Sequence, residues 1–108
     1  MNNATLEITE EEIPEGVKFR ISGRVNSESA DELQEILHKA LESGKKNIVL
    51  NMIWVKFLSS SGIRVILKAY QDLKKAGGSF GIETPSRNVK NVLGMTALDK
   101  LLIKNNED

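Results

Sequence analysis

Hydrophobic and polar residues alternate in two short segments near the start of the chain. Residues 5–9 and 17–22 both show the period of two that is typical of half-buried strands. Between them, Pro14-Glu15-Gly16 supplies residues that favour a turn. The pattern therefore predicts an antiparallel hairpin closed by a long, acidic loop.

From Ser29 onward the apolar residues are spaced by three and four, which is the period of a helix. The predicted apolar face consists of Ala30, Leu33, Ile36, Leu37, Ala40 and Leu41. Ser29, followed by Glu32 three residues later, predicts a capping box at the start of this helix. Gly44 is placed to end it, because glycine readily adopts the left-handed conformation. His38 lies off the apolar face and is interpreted as a solvated helix residue.

The rest of the chain repeats this change of period. Residues 47–53 form a nearly continuous β-branched run, which favours a strand covered on both faces. The later segments predict a helix ended by Gly77-Gly78, a strand at 79–83, a third helix opened by Pro85-Ser86, and a last helical turn with a short strand at 98–103. Strands that alternate with helices imply parallel pairing through right-handed crossovers. The sequence thus predicts an α/β fold, with a mixed sheet whose first hairpin is antiparallel, parallel strands elsewhere, and helices packed against it.

Composition narrows the classes of function. A chain of 108 residues suggests one domain, and its 15 basic and 15 acidic residues give a formal charge of zero. This balance argues against nucleic acid as the main partner, since such binding depends on neutralising phosphates. The absence of cysteine excludes disulfides and thiol chemistry. A single histidine makes a metal site or a catalytic triad hard to build, so no metal or cofactor is implied.

The chain shows no recognisable targeting or membrane segment. Its first residues lack both a basic region and an apolar core. The longest nearly apolar run, from Ile48 to Leu58, is far shorter than the roughly 20 residues of a membrane span. We therefore expect a cytoplasmic protein without direct membrane contact.

A run of serines joins a predicted buried strand to a helix, as Ser59-Ser60-Ser61-Gly62. The start of a helix carries unpaired N–H groups and about half a positive charge. A serine there can cap the helix by accepting a hydrogen bond from a backbone N–H. It can also present an exposed hydroxyl that accepts a phosphoryl group, whose charge the helix terminus favours. The residues alone leave both interpretations open.

The segment from Val49 to Ile63 resembles the signature of the STAS domain, and more narrowly that of the bacterial anti-sigma factor antagonists. In that family a strand ending in Leu-Asp-Leu leads through a short turn to Asp-Ser-Ser-Gly-Leu. This chain has Val49-Leu50-Asn51-Met52, then Val55 and Phe57, then Ser59-Ser60-Ser61-Gly62-Ile63. Gly23-Arg24-Val25-Asn26 is similar to the family's Gly-Glu-Leu-Asp, and the tail from Val92 to Asp99 resembles its last helix and turn. The resemblance covers residues 5–104 of what we expect to be a single domain, residues 1–108.

The resemblance implies a regulator of sigma-factor-dependent transcription, not an enzyme. By position in the motif Ser60 is the phosphoacceptor, with Ser59 and Ser61 as the alternatives. The family implies that an anti-sigma factor, which is a serine kinase using ATP, binds the unmodified protein and thereby frees a sigma factor. Phosphorylation by this kinase ends the binding, and a PPM-type phosphatase resets the protein. We expect the partner-binding surface to include Asn26, Trp54, Ser59, Ser61, Gly62, Arg64 and Val65.

Three positions depart from the family pattern, because Asn26, Asn51 and Ser59 stand where the family has aspartate. Ser59 directly precedes the expected acceptor. Its neutral side chain either eases modification by reducing like-charge repulsion or weakens recognition by the kinase. The alternative function is a non-phosphorylated STAS scaffold subunit of a signalling or membrane transport complex. A hydrolase with a serine nucleophile is a third class, and it needs His38 as its base.

Trp54 is the only tryptophan and is expected in a variable turn after the third strand. There it either packs over the edge of the sheet or anchors a partner. Burial of large aromatic residues favours packing, whereas the frequency of tryptophan in binding hot spots favours the partner. Arg64 and Lys68 are interpreted either as a solvated helix face or as groups that pair with a phosphate or with acidic groups on a partner. Val65 either contacts a partner or packs against the sheet.

Overall fold

A computed structural model describes residues 6–103 of the chain. The elements, in order, are β1 (Leu6–Ile13), β2 (Gly16–Val25), α1 (Ser27–Glu42), β3 (Asn47–Leu58), α2 (Ser60–Lys75), β4 (Ser79–Glu83), α3 (Arg87–Met95) and a 3-10 turn at Asp99–Leu101. This confirms the predicted order β-β-α-β-α-β-α. Residue 5, the first residue of the predicted hairpin, lies outside the described residues.

The strands form one mixed sheet in the order β1-β2-β3-β4. β1 and β2 are antiparallel, whereas β3 pairs in parallel with both β2 and β4, as predicted. The prediction of a long loop in the first hairpin is wrong. Ile13 pairs with Gly16, so only Pro14 and Glu15 remain in the turn, and the acidic residues before them belong to β1.

The two long helices, α1 and α2, pack beside each other on one face of the sheet. On β2, Val17 is buried toward these helices. Side chains that alternate with the buried ones along β2 point to the opposite, open face of the sheet. There Lys18 pairs with Glu83 at 2.9 Å and Arg20 with Glu11 at 3.3 Å. Arg20 and Glu11 lie on neighbouring strands, where opposite charges stabilise the pairing, whereas the Lys18 side chain reaches across β3 to Glu83 on β4.

The first half of the central strand β3 is covered on both faces, as its continuous apolar run predicts. Ile48 and Leu50 are essentially fully buried, and Val49, which points to the other face, is only 9% exposed. The strand does not end at Ile53 as expected but continues to Leu58.

The second half of β3 departs from regular pairing with β2 at two places. Arg20 pairs with Asn51 but Ser22 pairs with Trp54, so β3 contains one extra residue between these pairs, and it gains another further on. Such bulges shift the direction of the following side chains. The buried residues in this half, Met52, Val55 and Leu58, are consequently spaced by three instead of two.

Glycines in the left-handed conformation end both long helices, as predicted. Gly44 has a φ of 88° and Gly77 a φ of 84°. After α2, the Gly77 amide donates to the Lys74 carbonyl and the Gly78 amide to the Leu73 carbonyl, which is the Schellman arrangement. These compact endings lead the chain directly into the next strand of the sheet.

The start of α3 covers the edge of β3 beyond the end of β4. Ser86, which caps this helix, donates its hydroxyl to the Val55 carbonyl at 2.7 Å. The Asn88 side chain donates to the Lys56 carbonyl at 2.6 Å. These bonds satisfy backbone groups that a neighbouring strand would otherwise pair, and they hold β3 in place up to the serine segment.

The predicted last helical turn is present as the 3-10 turn, and the predicted final strand is reduced to one parallel bridge between Leu102 and Ile82. The Ile103 amide also donates to the Ile82 carbonyl, at 2.8 Å. Over residues 6–103, we find no helix with the length and apolar character needed to cross a bilayer.

Candidate functional site

The carboxyl ends of β2 and β3 place the serine segment at one end of the sheet. These parallel strands stay paired up to Val25 and Leu58. The Ser59 amide then donates to the Val25 carbonyl oxygen at 2.8 Å, which fixes the point where the chain leaves the sheet. Both α1 and α2 begin at this end, where open α/β sheets usually carry their functional loops.

The three serines at the start of α2 have different environments. Ser59 is the N-cap, and its Oγ accepts a hydrogen bond from the Gly62 amide at 3.2 Å. Ser60 is the first helical residue, its side chain is exposed, and none of the side-chain hydrogen bonds within residues 6–103 involves its hydroxyl. Ser61 is half-buried in a groove shared with α1. The hydroxyl of Ser60 is thus open to solvent and unused by the fold.

The electrostatic surroundings of Ser60 favour an added negative charge. The first turn of α2 contains no acidic residue, and the helix start itself carries a partial positive charge. Arg64 lies one helical turn further on and is exposed. Residues four apart on a helix are neighbours on its surface, so the guanidinium of Arg64 is within reach of a group attached to Ser60.

Gly62 is buried where α2 approaches the sheet. A Cβ atom at this position would lie 2.6 Å from Cγ1 of Val25 and 2.7 Å from Cδ1 of Leu58. Both distances are too short for carbon atoms in contact. Gly62 therefore allows the close packing that holds Ser60 at the end of the strands, and its own position is inside the molecule.

Three of the residues expected in a partner surface lie together. Ser61, Arg64 and Val65 line a shallow groove between the beginnings of α1 and α2, together with Ser27 and Asp31 of α1. Val65 is half-buried and packs against the core, so it combines the two interpretations given to it. The charged rim and apolar floor of this groove are suited to contact with another protein.

Asn26 caps α1, which corrects the prediction that Ser29 does so. The Asn26 Oδ1 accepts hydrogen bonds from the amides of Glu28 at 3.0 Å and Ser29 at 2.9 Å. Ser29 is instead the reciprocal residue of the capping box: its Oγ accepts from the Asn26 amide and donates to the Arg24 carbonyl at 2.7 Å. Where the family has aspartate, asparagine here supplies the same capping oxygen without the charge.

Trp54 does not lie in the predicted turn, and of the two environments considered for it, packing over the sheet edge is wrong. It lies within β3 and is 70% exposed, on the open face of the sheet. Its cleft, shared with Arg20 and Asn51, has no residue in common with the groove that contains Ser61 and Arg64. The structure therefore does not bring Trp54 into that groove.

The sequence does not predict a cation–π contact that the structure shows between β2 and β3. Arg24 pairs with Phe57 across β2 and β3, and its guanidinium lies 4.7 Å from the centre of the Phe57 ring. Phe57 is 37% exposed, so this cation–π pair is at the surface. The two residues are neighbours because of the register between β2 and β3. Bulges alter this register, so the sequence alone does not identify the pair.

His38 is not brought to the serine segment. It is exposed on α1, 3.3 Å from the carboxylate of Glu42. It lies 11 residues beyond Ser27, the α1 residue beside Ser61, which corresponds to about 16 Å along a helix. The geometry required for a serine–histidine pair is therefore absent at Ser60.

Comparisons with known proteins agree with this arrangement. A family model of the STAS domain matches residues 7–108. The chain is 29% identical over 84 residues to an anti-sigma F factor antagonist of Paenibacillus polymyxa, an alignment that covers 77% of this chain and 72% of that protein. It is 30% identical over 60 residues to the protein BtrV of Bordetella bronchiseptica, covering 56% of this chain and 52% of BtrV, or about half its length.

Solved structures support the same fold. The unphosphorylated form of the anti-sigma factor antagonist SpoIIAA superposes with a TM-score of 0.80 at 20% identity, covering 94% of this chain and 90% of that one. The phosphorylated form of SpoIIAA from Bacillus gives a TM-score of 0.74 at 19% identity, covering 94% and 93%. With a family match over nearly its whole length and this shared fold, the chain belongs to the STAS domain family.

Proposed function

We propose that this chain is an anti-sigma factor antagonist whose binding to its partner is switched off by phosphorylation of Ser60. The partner is an anti-sigma factor that is also a serine kinase using ATP. The observation that carries the proposal is the exposed hydroxyl of Ser60 at the start of α2, next to a capping Ser59 and a half-buried Ser61. Relatives named as anti-sigma factor antagonists, and SpoIIAA structures in both phosphorylation states, support it.

In this proposal the protein acts in the cytoplasm by competition for the anti-sigma factor. The unmodified form occupies the anti-sigma factor, so a sigma factor is free to direct transcription. Phosphorylation of Ser60 releases the anti-sigma factor, and a PPM-type phosphatase removes the phosphate. No step requires this chain to catalyse a reaction itself.

The switch operates through charge. A phosphate adds about −1.5 to −2 charges at pH 7 to a chain whose formal charge is zero. A partner surface that covers Ser60 has to strip water from this charge. A hundredfold loss of affinity corresponds to only about 2.7 kcal/mol, which one unpaired buried charge can supply. The fold itself need not change.

The neutral Ser59 is compatible with this mechanism. Its hydroxyl performs the capping task that an aspartate would also perform at this position. What the chain lacks is a carboxylate beside the phosphate, so repulsion within the loop is weaker than it would be with aspartate. We therefore expect the phosphorylated helix start to be accommodated without loss of stability.

The partner surface that we propose surrounds Ser60 on the side of α1. It comprises Ser61, Arg64 and Val65 in the groove and, at the neighbouring helix start, Asn26. Trp54 lies on the open face of the sheet and is proposed as a separate anchor, because exposed tryptophan is frequent in binding hot spots.

Phosphopeptide mapping tests the acceptor. The protein is incubated with ATP and the anti-sigma factor kinase of the same organism, and we expect one phosphate, on Ser60. The Ser60→Ala variant should gain none, whereas the matched Ser61→Ala variant should still be modified. If all three serines stay unmodified while a known antagonist is phosphorylated by its own kinase in parallel, the switch is wrong and the scaffold function replaces it.

A further inference from the structure

A basic groove runs along the outer side of α2. This groove, of about 850 Å³, is bounded by α2 and by the 3-10 turn at Asp99–Leu101. Its charged residues are Arg64, Lys68, Lys74, Lys75, Lys100 and Asp72. Five cations thus face one carboxylate, in a chain whose total formal charge is zero.

Most of these cations have no carboxylate partner within residues 6–103. Lys68 and Asp72 form an ion pair at 3.0 Å, and none of the other four cations lies within 4.0 Å of a carboxylate oxygen there. Helix-end lysines such as Lys74 and Lys75 are favoured by the helix dipole. The dipole does not account for Arg64, which lies one turn from the start of α2, or for Lys100 on a different element.

Two of the lysines crowd the same aromatic ring. The Nζ atoms of Lys74 and Lys100 lie 5.4 Å and 5.7 Å from the centre of the Tyr70 ring, and Lys74 also donates to the Tyr70 hydroxyl at 3.2 Å. Both ammonium groups therefore add to the positive potential around Tyr70, and an anion bound in the groove would offset it. The geometry of the groove therefore suits a negatively charged ligand.

The neighbouring helix limits the kind of anion. α1, which packs beside α2, carries five acidic residues, namely Glu28, Asp31, Glu32, Glu35 and Glu42. A membrane surface or a nucleic acid duplex extends well beyond the groove and would meet these carboxylates. Of the apolar residues of α2, Ile66 and Leu73 are fully buried in the core, and Leu67, which lines the groove, is half-buried, so the helix presents no exposed apolar face to lipid. A narrow anion fits the charge distribution and an extended anionic surface does not.

We propose that this groove binds a carboxylate-rich segment of a partner protein. From Arg64 to Lys75 the groove extends about 16 Å along α2, which matches about five residues of extended peptide. It begins one helical turn after Ser60, so a partner contacting both surfaces would be continuous. The binding does not require phosphorylation of Ser60, and it holds if that proposal fails.

A titration with a fluorescent peptide of about eight glutamates tests the groove directly. The chain offers a matched pair of variants, since Lys75 and Lys39 are exposed and both lie in the last turn of a 16-residue helix. We expect the full chain to bind the peptide with an affinity that falls as salt is added. Lys75→Glu and Lys100→Glu should each weaken binding about fivefold, whereas Lys39→Glu should leave it unchanged.

Three results would overturn the proposal. These are no detectable binding of the peptide at low salt, equal weakening by Lys39→Glu and Lys75→Glu, and tighter binding through Lys75 of a DNA duplex or of vesicles made from equal parts of phosphatidylcholine and phosphatidylserine. Circular dichroism of each variant establishes that it is folded. If Lys75→Glu does not fold, Lys100→Gln provides the same comparison without disturbing α2.

Discussion

Neighbouring residues at the start of α2 have different structural roles, which together leave the Ser60 side chain exposed. Ser59 caps the helix, Gly62 lets it approach the sheet, and the Ser60 hydroxyl makes no side-chain hydrogen bond to any residue of the described range 6–103. The family motif around a phosphoacceptor therefore contains residues with purely structural tasks. Of these, Gly62 is the most constrained, because side chains from both β2 and β3 close around it.

Replacing Gly62 tests its structural role. Gly62→Ala should lower the free energy of unfolding by about 1–3 kcal/mol, because its methyl group would overlap Val25 and Leu58. Gly94 is a matched control, since it also lies in a helix but a Cβ there meets nothing within 4 Å. Gly94→Ala should raise stability by up to about 1 kcal/mol. Urea denaturation measures both, and an equal effect of the two variants would contradict the packing that we describe.

At the scale of elements, the beginning of α1 illustrates where local patterns are ambiguous. The sequence contains two overlapping capping patterns, Asn26 with Ser29 and Ser29 with Glu32. The fold selects the first, because the Ser29 hydroxyl donates to the Arg24 carbonyl at the end of β2. This contact joins a helix to a strand. It cannot be inferred from the hydrophobic periodicity of either element.

The capping role of Asn26 leads to a prediction about α1. Asn26→Ala should lower the free energy of unfolding by about 1 kcal/mol, because two helix amides lose their acceptor. Asn26→Asp should keep or slightly raise stability, since a carboxylate accepts the same bonds and interacts favourably with the helix dipole. Thermal unfolding compares the variants. If Asn26→Ala is as stable as the parent chain, the cap contributes nothing and Asn26 would be free for other contacts.

At the scale of the whole molecule, the order of elements was predictable because the hydrophobic period changes between two and 3.6 at each boundary. The second half of β3 was not, because its bulges space the buried residues Met52, Val55 and Leu58 by three. That spacing resembles neither a regular strand nor a turn, so the sequence predicts a turn at Trp54 where the structure has a strand.

The candidate site shows the same division between local and distant information. The strand-to-helix junction at Ser59 and Ser60 is a local feature that the sequence predicts, whereas only the structure shows which of the serines caps the helix and which is exposed. The basic groove is formed by α2 and Lys100. These two parts of the chain are separated by α3 in the sequence and meet only through tertiary packing. The sequence predicts either a solvated face or anion pairing for Arg64 and Lys68, and it does not show that Lys100 joins them, because that contact depends on the tertiary fold.

The central claim is that a negative charge at position 60 weakens binding to the anti-sigma factor, and a calorimetric titration of that partner tests it most directly. Ser60→Asp and Ser60→Asn differ in charge but hardly in size, so the pair isolates the electrostatic effect. We predict that Ser60→Asn binds like the parent chain, and that Ser60→Asp binds at least about tenfold more weakly, a difference of about 1.4 kcal/mol. Equal affinities of the two variants would contradict the account.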